Sequence, residues 1–168
     1  MADTMTPEQR HKCMAAIKGK DTKPEMIVRK YLHSLGYRYG LHNKKLPGCP
    51  DLVLRKYKTV IFIHGCFWHG HEGCKYYRLP KSNVEFWQDK ITRNRQRDRE
   101  SVRNLIKKGW NVITVWECDL KNKDRREETL SNLKSRLQKI HSPSTPYLID
   151  TEPSIAAEPT HEYTKPSN

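Results

Sequence analysis

The chain has 168 residues, and its 32 Lys and Arg residues against 19 Asp and Glu residues give a formal net charge of +13. No apolar stretch approaches the roughly 20 residues of a membrane span, and residues 1–10 lack the apolar core of a secretion signal. We therefore expect one domain that binds a polyanion, with nucleic acid as the first candidate, rather than a membrane or secreted protein.

Capping patterns predict two helices in the first part of the chain. A Thr-Pro pair followed by Gln9 predicts a short helix over residues 6–18. The same pattern with Glu25 predicts a second helix over residues 22–36, and a first strand is expected at residues 37–42. The capping box by itself is a sufficient structural reason for a glutamate at the position of Glu25.

Further strands and helices follow in alternation. A long helix is expected from Ser82, as its N-cap, to about residue 108, and a last helix over residues 127–140. Three β-rich segments lie around the long helix, at residues 51–54, 60–64 and 110–116. This order predicts an α/β fold with a mixed central sheet, helices on both faces, and residues 60–64 beside 110–116 at its centre.

The last part of the chain differs in composition. Residues 141–168 contain five of the ten prolines, and Lys165 stands there against four acidic residues, which gives a charge of −3. Residues 1–140 therefore carry +16 and form the predicted domain. The tail has few large apolar residues and is predicted to be disordered.

Five cysteines without a secretion signal indicate reduced thiols and a cytoplasmic protein. Two of them lie with three histidines in residues 64–74, directly after a predicted strand, and Cys118 follows the next strand. A closed structural zinc site uses ligands of these types, which would here be Cys66, His71, Cys74 and Cys118. The alternative is a His-rich loop with thiols that bind no metal.

Two further histidines of this segment, His64 and His69, are not needed by a site that already has four ligands. For each of them, the alternative to a catalytic role is a structural one. Their position at the carboxyl end of a central strand favours chemistry, because ligands bind there in α/β folds.

Two aspartates are candidates for the same region. Asp51 begins a strand that is expected to pair with residues 60–64, which would place it near His64, either as a magnesium ligand or as an ordinary turn residue. Asp98 lies on the inward stripe of the long helix and needs a partner there, either His69 or an arginine, Arg95 or Arg97.

Motifs along the chain closely resemble the very-short-patch repair DNA mismatch endonucleases over residues 8–138. They are Leu46-Pro47-Gly48-x-Pro50-Asp51, Phe62-x-His64-Gly65-Cys66-Phe67-Trp68-His69, Phe86-Trp87-x-x-Lys90-Ile91-x-x-Asn94-x-x-Arg97-Asp98, Gly109-Trp110 and Trp116-Glu117-Cys118. Related restriction-endonuclease-like nucleases carry an acidic residue and a lysine on the second strand, where this chain has Phe62-Ile63-His64. The resemblance implies a restriction-endonuclease-like fold and nicking of duplex DNA on the 5′ side of the thymine in a T:G mismatch, which arises from deamination of 5-methylcytosine.

The resemblance also implies roles for individual residues. It implies a catalytic magnesium ion held by Asp51 and the backbone carbonyl of Ile63, with Glu25 supporting the hydrated metal. His69 would be the general base, and His64 would contact the phosphate or a metal-bound water. The family's zinc ligands correspond to Cys66, His71, Cys74 and Cys118, and Asp98 would orient His69.

DNA contacts follow from the same resemblance. Phe67, Trp68 and Trp87 would intercalate beside the mismatch. Packing is the alternative, and it is favoured more for Phe86 than for Trp68. The helix within residues 1–20 would bring Met14 and Ile17 to the minor groove, unless they form a small packing stripe. Asn94 and Arg95 are further candidates for DNA binding, on a helix whose basic residues would follow the phosphates.

The expected protein is thus a monomeric bacterial repair enzyme that acts on the nucleoid, with T:G-mismatched duplex DNA as its partner and mismatch-repair proteins as further candidates. Two alternatives stay open from the sequence. One is a nuclease of the same fold with another target, either restriction-like or structure-specific. The other is a DNA-binding module that zinc stabilises and that has no catalytic activity.

Overall fold

The computed structural model describes residues 19–141 and, ahead of them, Thr6, Glu8, Gln9, Lys12, Ala15 and Ala16. Most of the predicted first helix, including Met14 and Ile17, and the predicted tail from residue 142 onward lie outside the described residues. The predicted capping box is present, because Gln9 N–H donates to Thr6 Oγ1 at 3.2 Å and Thr6 N–H donates to Gln9 Oε1 at 2.9 Å.

The described chain contains four short strands and four α-helices. In order, the elements are α1 (Lys23–Ser34), β1 (Gly40–Leu41), β2 (Leu52–Leu54), a 3₁₀ turn (Arg55–Tyr57), β3 (Thr59–His64), α2 (Val84–Lys107), β4 (Asn111–Trp116), α3 (Glu117–Lys121) and α4 (Lys123–His141). None of these helices is long and apolar enough to cross a membrane.

The four strands form one mixed sheet in the order β1-β2-β3-β4. The first three are antiparallel neighbours, with Leu52 opposite Ile61, and β3 and β4 are parallel, with His64 opposite Trp116. The predicted mixed sheet with β3 beside β4 is therefore confirmed. The connection from β3 to β4 passes through α2, as a parallel pair requires.

Helices cover both faces of this sheet, as the sequence predicts. On one face, buried residues of β2, β3 and β4 pack against α1, α3 and α4. On the other face, Val53, Val60, Phe62 and Val112 pack against Leu105 of α2. Alternate residues of each strand thus serve two cores, which explains why β2 and most of β3 are apolar throughout.

Several predicted boundaries differ from the structure. Asn83, not Ser82, is the N-cap of α2, and it adopts a left-handed conformation that asparagine tolerates well. Only Gly40–Leu41 of the predicted first strand pairs with the sheet. The last helix begins earlier than predicted and continues through His141, whose ring stacks on Tyr57 with 3.4 Å between centroids.

Candidate active site and metal centre

The carboxyl end of β3 leads directly into the loop that carries most of the candidate residues. β3 ends at His64, and its register partner Trp116 ends β4. α3 begins at the next residue, Glu117, and carries Cys118. Parallel pairing of the two strands thus brings Cys118 beside the loop over residues 65–74.

Four side chains of this region form one cluster, Cys66, His71, Cys74 and Cys118, and their ligand atoms all lie within 4.8 Å of one another. Nδ1 of His71 is 3.6 Å from Sγ of Cys66 and 3.4 Å from Sγ of Cys118. In a tetrahedral zinc site with ordinary Zn–S and Zn–N bonds, the edge between nitrogen and sulfur is about 3.5 Å. The cluster therefore has the spacing of a tetrahedral metal site.

The environment of two of these thiols also bears on metal binding. Burial raises the pKa of Cys66, and burial together with the neighbouring Cys66 thiol raises the pKa of Cys118. Neither thiol is therefore expected to ionise on its own near pH 7. A bound cation would stabilise both as thiolates, the form that coordinates metals.

Contacts outside regular secondary structure hold the loop in place. The N–H of His71 donates to the carbonyl of Cys66 at 2.9 Å, and the ring of His71 stacks on Trp116 with 3.9 Å between centroids. The side-chain amide of Asn94 on α2 donates to the carbonyl of Trp68 at 2.9 Å. The loop is thus attached to both β4 and α2.

Gly70 is a position in this loop where a side chain does not fit. Its φ is +61°, and an added Cβ would lie 2.6 Å from Cγ2 of Ile91 and 2.8 Å from Cδ of Arg95. Gly73 also has a positive φ, +68°, but has nothing within 4 Å of an added Cβ.

We expect Gly70→Ala to lower the free energy of unfolding by about 1–3 kcal/mol more than Gly73→Ala, because both substitutions strain the backbone and only the first overpacks the loop. Chemical denaturation of the two variants measures this difference, and equal losses would contradict it.

His69 points from the loop toward α2 and contacts Asp98. Nδ1 of His69 lies 2.6 Å from Oδ2 of Asp98, with both side chains about 30% exposed. Because a carboxylate only accepts hydrogen bonds, Nδ1 carries the proton and the lone pair lies on Nε2. The sequence left His69 and an arginine as alternative partners of Asp98, and the structure shows His69.

His64 lies directly against His69. The two rings stack with 3.8 Å between centroids and planes 3° apart, and His64 is only 7% exposed. Burial, together with the repulsion that a protonated His69 would exert, lowers the pKa of His64 to about 3. His64 is therefore a neutral imidazole near pH 7, which can donate one hydrogen bond and accept another.

Asp51 precedes β2 and faces β3, where the hairpin was predicted to place it. Its Oδ2 accepts a hydrogen bond from the N–H of Ile63 at 2.7 Å. Burial raises the pKa of Asp51, and the hydrogen bond from Ile63 opposes this shift. Because the N–H and C=O of a strand residue point to the same side, the Ile63 carbonyl faces the side of β3 on which Asp51 lies.

Glu25 has contacts beyond those of a capping box. Its N–H donates to Oγ1 of Thr22 at 3.4 Å, so Thr22 caps α1 as predicted. Its carboxylate is buried, with Oε1 at 3.3 Å from Nη1 of Arg29 and 3.0 Å from Nε2 of His42. His42 was not a candidate, because no motif surrounds it and its contact with Glu25 depends on tertiary structure.

Aromatic side chains form a surface cluster beside the same loop. Phe67, Trp68 and Trp87 are half-buried, with centroids 5.1, 5.4 and 6.1 Å apart. The expectation that packing is favoured more for Phe86 than for Trp68 is wrong, because Phe86, in the first turn of α2, is 56% exposed and Trp68 is half-buried. Nζ of Lys90 lies 5.4 Å from the ring centroids of both Trp68 and Trp87, a cation–π arrangement that the sequence did not suggest.

The remaining candidates on α2 have different surroundings. Asn94 is half-buried against Trp68, and Arg95 forms an ion pair with Glu72. Six more basic residues on and just after this helix are exposed, namely Arg93, Arg97, Arg99, Arg103, Lys107 and Lys108. An exposed positive surface thus continues along the helix that carries Asp98.

Known proteins resemble this chain over most of its length. Residues 2–75 match the family described as DNA mismatch endonuclease Vsr. The chain is 45% identical over 144 residues to the type II nicking enzyme V.XorIIP of Xanthomonas oryzae pv. oryzae, covering 86% of this chain and 100% of the relative. It is 50% identical over 133 residues to the type II nicking enzyme V.NmeAIP of Neisseria meningitidis, covering 79% and 94% of the two chains. It is 40% identical over 125 residues to the DNA mismatch endonuclease Vsr of Escherichia coli, covering 74% and 80%. The chain therefore belongs to the Vsr family of DNA mismatch endonucleases and is a DNA endonuclease.

Proposed function

We propose that this chain nicks one strand of duplex DNA on the 5′ side of the thymine in a T:G mismatch that arises from deamination of 5-methylcytosine. The observation that carries the proposal is the 2.6 Å contact of His69 with Asp98, in which the ring of His69 also stacks on His64 at the end of β3. The mismatch target is supported by the relative named DNA mismatch endonuclease, and nicking by the relatives named nicking enzymes.

His69 is the general base of the proposed reaction. Its Nε2 takes a proton from a water molecule, while Asp98 holds the other ring nitrogen and stabilises the protonated ring. The water oxygen forms a bond to phosphorus, and the bond from phosphorus to O3′ of the preceding nucleotide breaks. The leaving oxygen takes a proton from solvent, which yields a 3′-hydroxyl and a 5′-phosphate on the thymidine.

The surroundings of Asp51 suit magnesium, which binds oxygen ligands. Asp51 offers Oδ1, because its Oδ2 accepts the hydrogen bond from Ile63, and the Ile63 carbonyl is the second proposed ligand. A magnesium ion bound there would polarise the phosphate and stabilise the charge that develops on it. Glu25 would support the hydration shell of this ion, and neutral His64 would donate a hydrogen bond to the phosphate or to a bound water.

The four-residue cluster of Cys66, His71, Cys74 and Cys118 is assigned to zinc in a structural role. The spacing of the ligand atoms and the presence of three thiols favour zinc over magnesium. The loop between Cys66 and Cys74 carries His69, so a metal ion in the cluster would fix the position of the base.

The proposed DNA-binding surface combines charge with half-buried aromatic rings in a restriction-endonuclease-like domain. Phe67, Trp68 and Trp87 are proposed to enter the stack beside the mismatch, where unstacking costs least. The basic residues of α2, with Asn94 and Arg95, are proposed to contact the backbone near it. Met14 and Ile17, outside the described residues, are proposed to reach the minor groove.

The proposed enzyme is a monomer on DNA, and mismatch-repair proteins are candidate partners.

Three labelled duplexes that differ at one base pair test this function. We expect rapid nicking of a T:G duplex in magnesium and none in EDTA. Nicking of T:A and C:G duplexes should be at least about fivefold slower, since one mismatched base pair typically changes the free energy of recognition by about 1–3 kcal/mol. Equal cleavage of the three duplexes would contradict the mismatch target and favour another nuclease. Binding without cleavage of any duplex would favour a DNA-binding module.

A further inference from the structure

His42 lies between two acidic side chains of the candidate site. Its Nε2 is 3.0 Å from Oε1 of Glu25, and its Nδ1 is 3.8 Å from Oδ1 of Asp51. The side chains of His42 and Glu25 are 15% and 3% exposed. The ring therefore forms an internal contact between α1 and the residue that precedes β2.

The backbone also connects His42 to Asp51. His42 follows β1 with φ of +43°, a conformation that is uncommon for residues other than glycine. Its N–H donates to the carbonyl of Asp51 at 3.2 Å. The position of the ring is thus tied to Asp51 through the main chain as well as through the side chain.

The two oxygens of Asp51 have different neighbours. Oδ2 accepts the 2.7 Å hydrogen bond from Ile63, which leaves Oδ1 on the side of His42. The 3.8 Å separation between Nδ1 and Oδ1 is too long for a hydrogen bond. The ring therefore limits the rotation of the carboxylate while a lone pair of Oδ1 stays available to another ligand.

His42 also lies between charges that repel each other. Oε1 of Glu25 lies 3.0 Å from Nε2 of the ring, and Oδ1 of Asp51 lies 3.8 Å from Nδ1, so the two carboxylates contact different edges of the imidazole. Arg29 balances Glu25 from the other side, since its guanidinium contacts both Glu25 and Asp21. Among the residues that the structure describes, the imidazole of His42 thus lies between the carboxylates of Glu25 and Asp51.

We propose that His42 is a positioning residue for Asp51, which separates it from Glu25 and holds Oδ1 in the orientation that binds a divalent cation. This inference rests on the proposed function, in which Asp51 is a magnesium ligand. His42 itself contacts neither the cation nor the DNA in this account. It acts on the metal site from outside, as partners of metal ligands commonly do.

Binding of manganese to the full-length, zinc-loaded protein without DNA tests the role of His42 separately from catalysis. Mn²⁺ replaces Mg²⁺ as the probe, because it prefers the same oxygen ligands and its free form is measured by electron paramagnetic resonance. The variants are His42→Ala, His42→Asn and Asp51→Ala, and the control is His33→Ala, an exposed histidine on α1. Thermal unfolding is recorded for each variant.

We expect His42→Ala to raise the dissociation constant for Mn²⁺ by about 10–100-fold, the usual effect of removing a partner of a metal ligand. His42→Asn should recover part of this loss, because its amide nitrogen reaches about as far as Nδ1. Asp51→Ala should abolish binding at this site, and His33→Ala should leave it unchanged.

Two results would overturn the role of His42. One is wild-type affinity in His42→Ala together with lost binding in Asp51→Ala. The other is an equal loss of affinity and of thermal stability in His42→Ala and His42→Asn, which would indicate packing alone. Wild-type affinity in Asp51→Ala would instead contradict the proposed magnesium site itself, and the role of His42 would fall with it.

Discussion

Replacing His69 with alanine is expected to lower the rate of nicking of a T:G duplex by about 10²–10⁴-fold, the usual contribution of a general base. The expectation follows from the contact between Nδ1 and Asp98, which leaves Nε2 as the proton acceptor. Duplex binding should persist, because the basic residues of α2 and the aromatic cluster are unchanged. Single-turnover nicking and a binding assay on the same duplex measure the two effects.

Two variants sharpen this prediction. Asp98→Ala removes the orienting carboxylate but keeps the base, so its nicking rate should fall less than that of His69→Ala. His33→Ala removes an exposed histidine on α1 and should leave the rate unchanged. Nicking by His69→Ala at the wild-type rate would show that another group takes the proton from water.

Loss of the proposed zinc is expected to have the largest effect on stability. Cys118 anchors the start of α3 to the loop over residues 65–74, which consists mostly of turns. Cys118→Ser should therefore release the metal and lower the Tm by on the order of 10 °C. In a domain of this size, each kcal/mol lost from the free energy of unfolding lowers the Tm by about 4 °C. Differential scanning calorimetry measures the shift, and elemental analysis of the wild-type chain should find about one zinc per molecule.

The matched control is Cys49→Ser, which alters a half-buried free cysteine outside the cluster. It should keep the zinc and most of the Tm. A Cys118→Ser variant as stable as Cys49→Ser, or a wild-type chain without bound metal, would contradict the structural role of the cluster.

Local patterns predicted much of the fold. β-Propensity and turn residues located β2, β3 and β4, because each strand is a short apolar segment between polar or turn-forming ones. The pairing of β3 with β4 then placed Cys118 beside Cys66. Helical periodicity placed Asp98 on the inward side of α2, which made a polar partner necessary and His69 a candidate.

Other features depended on tertiary structure and could not be predicted. The left-handed conformation of Asn83 begins α2 one residue later than the Ser82 pattern predicts. The exposure of Phe86 depends on where the first turn of α2 lies relative to the loop. His42 reaches Glu25 because β1 pairs only briefly with β2 and the chain then turns, a geometry that no nearby sequence signal announces.

Strand-specific nicking at the mismatch is the central claim, and a T:G duplex with a different label on each strand tests it most directly. The products are resolved at single-nucleotide resolution in magnesium, with wild type and Asp51→Ala compared. We predict one cut, on the thymine strand and on the 5′ side of the mismatched thymine, that leaves a 5′-phosphate and a 3′-hydroxyl and is lost in Asp51→Ala. Cuts in both strands, cuts away from the thymine, or a wild-type rate in Asp51→Ala would contradict the proposed site.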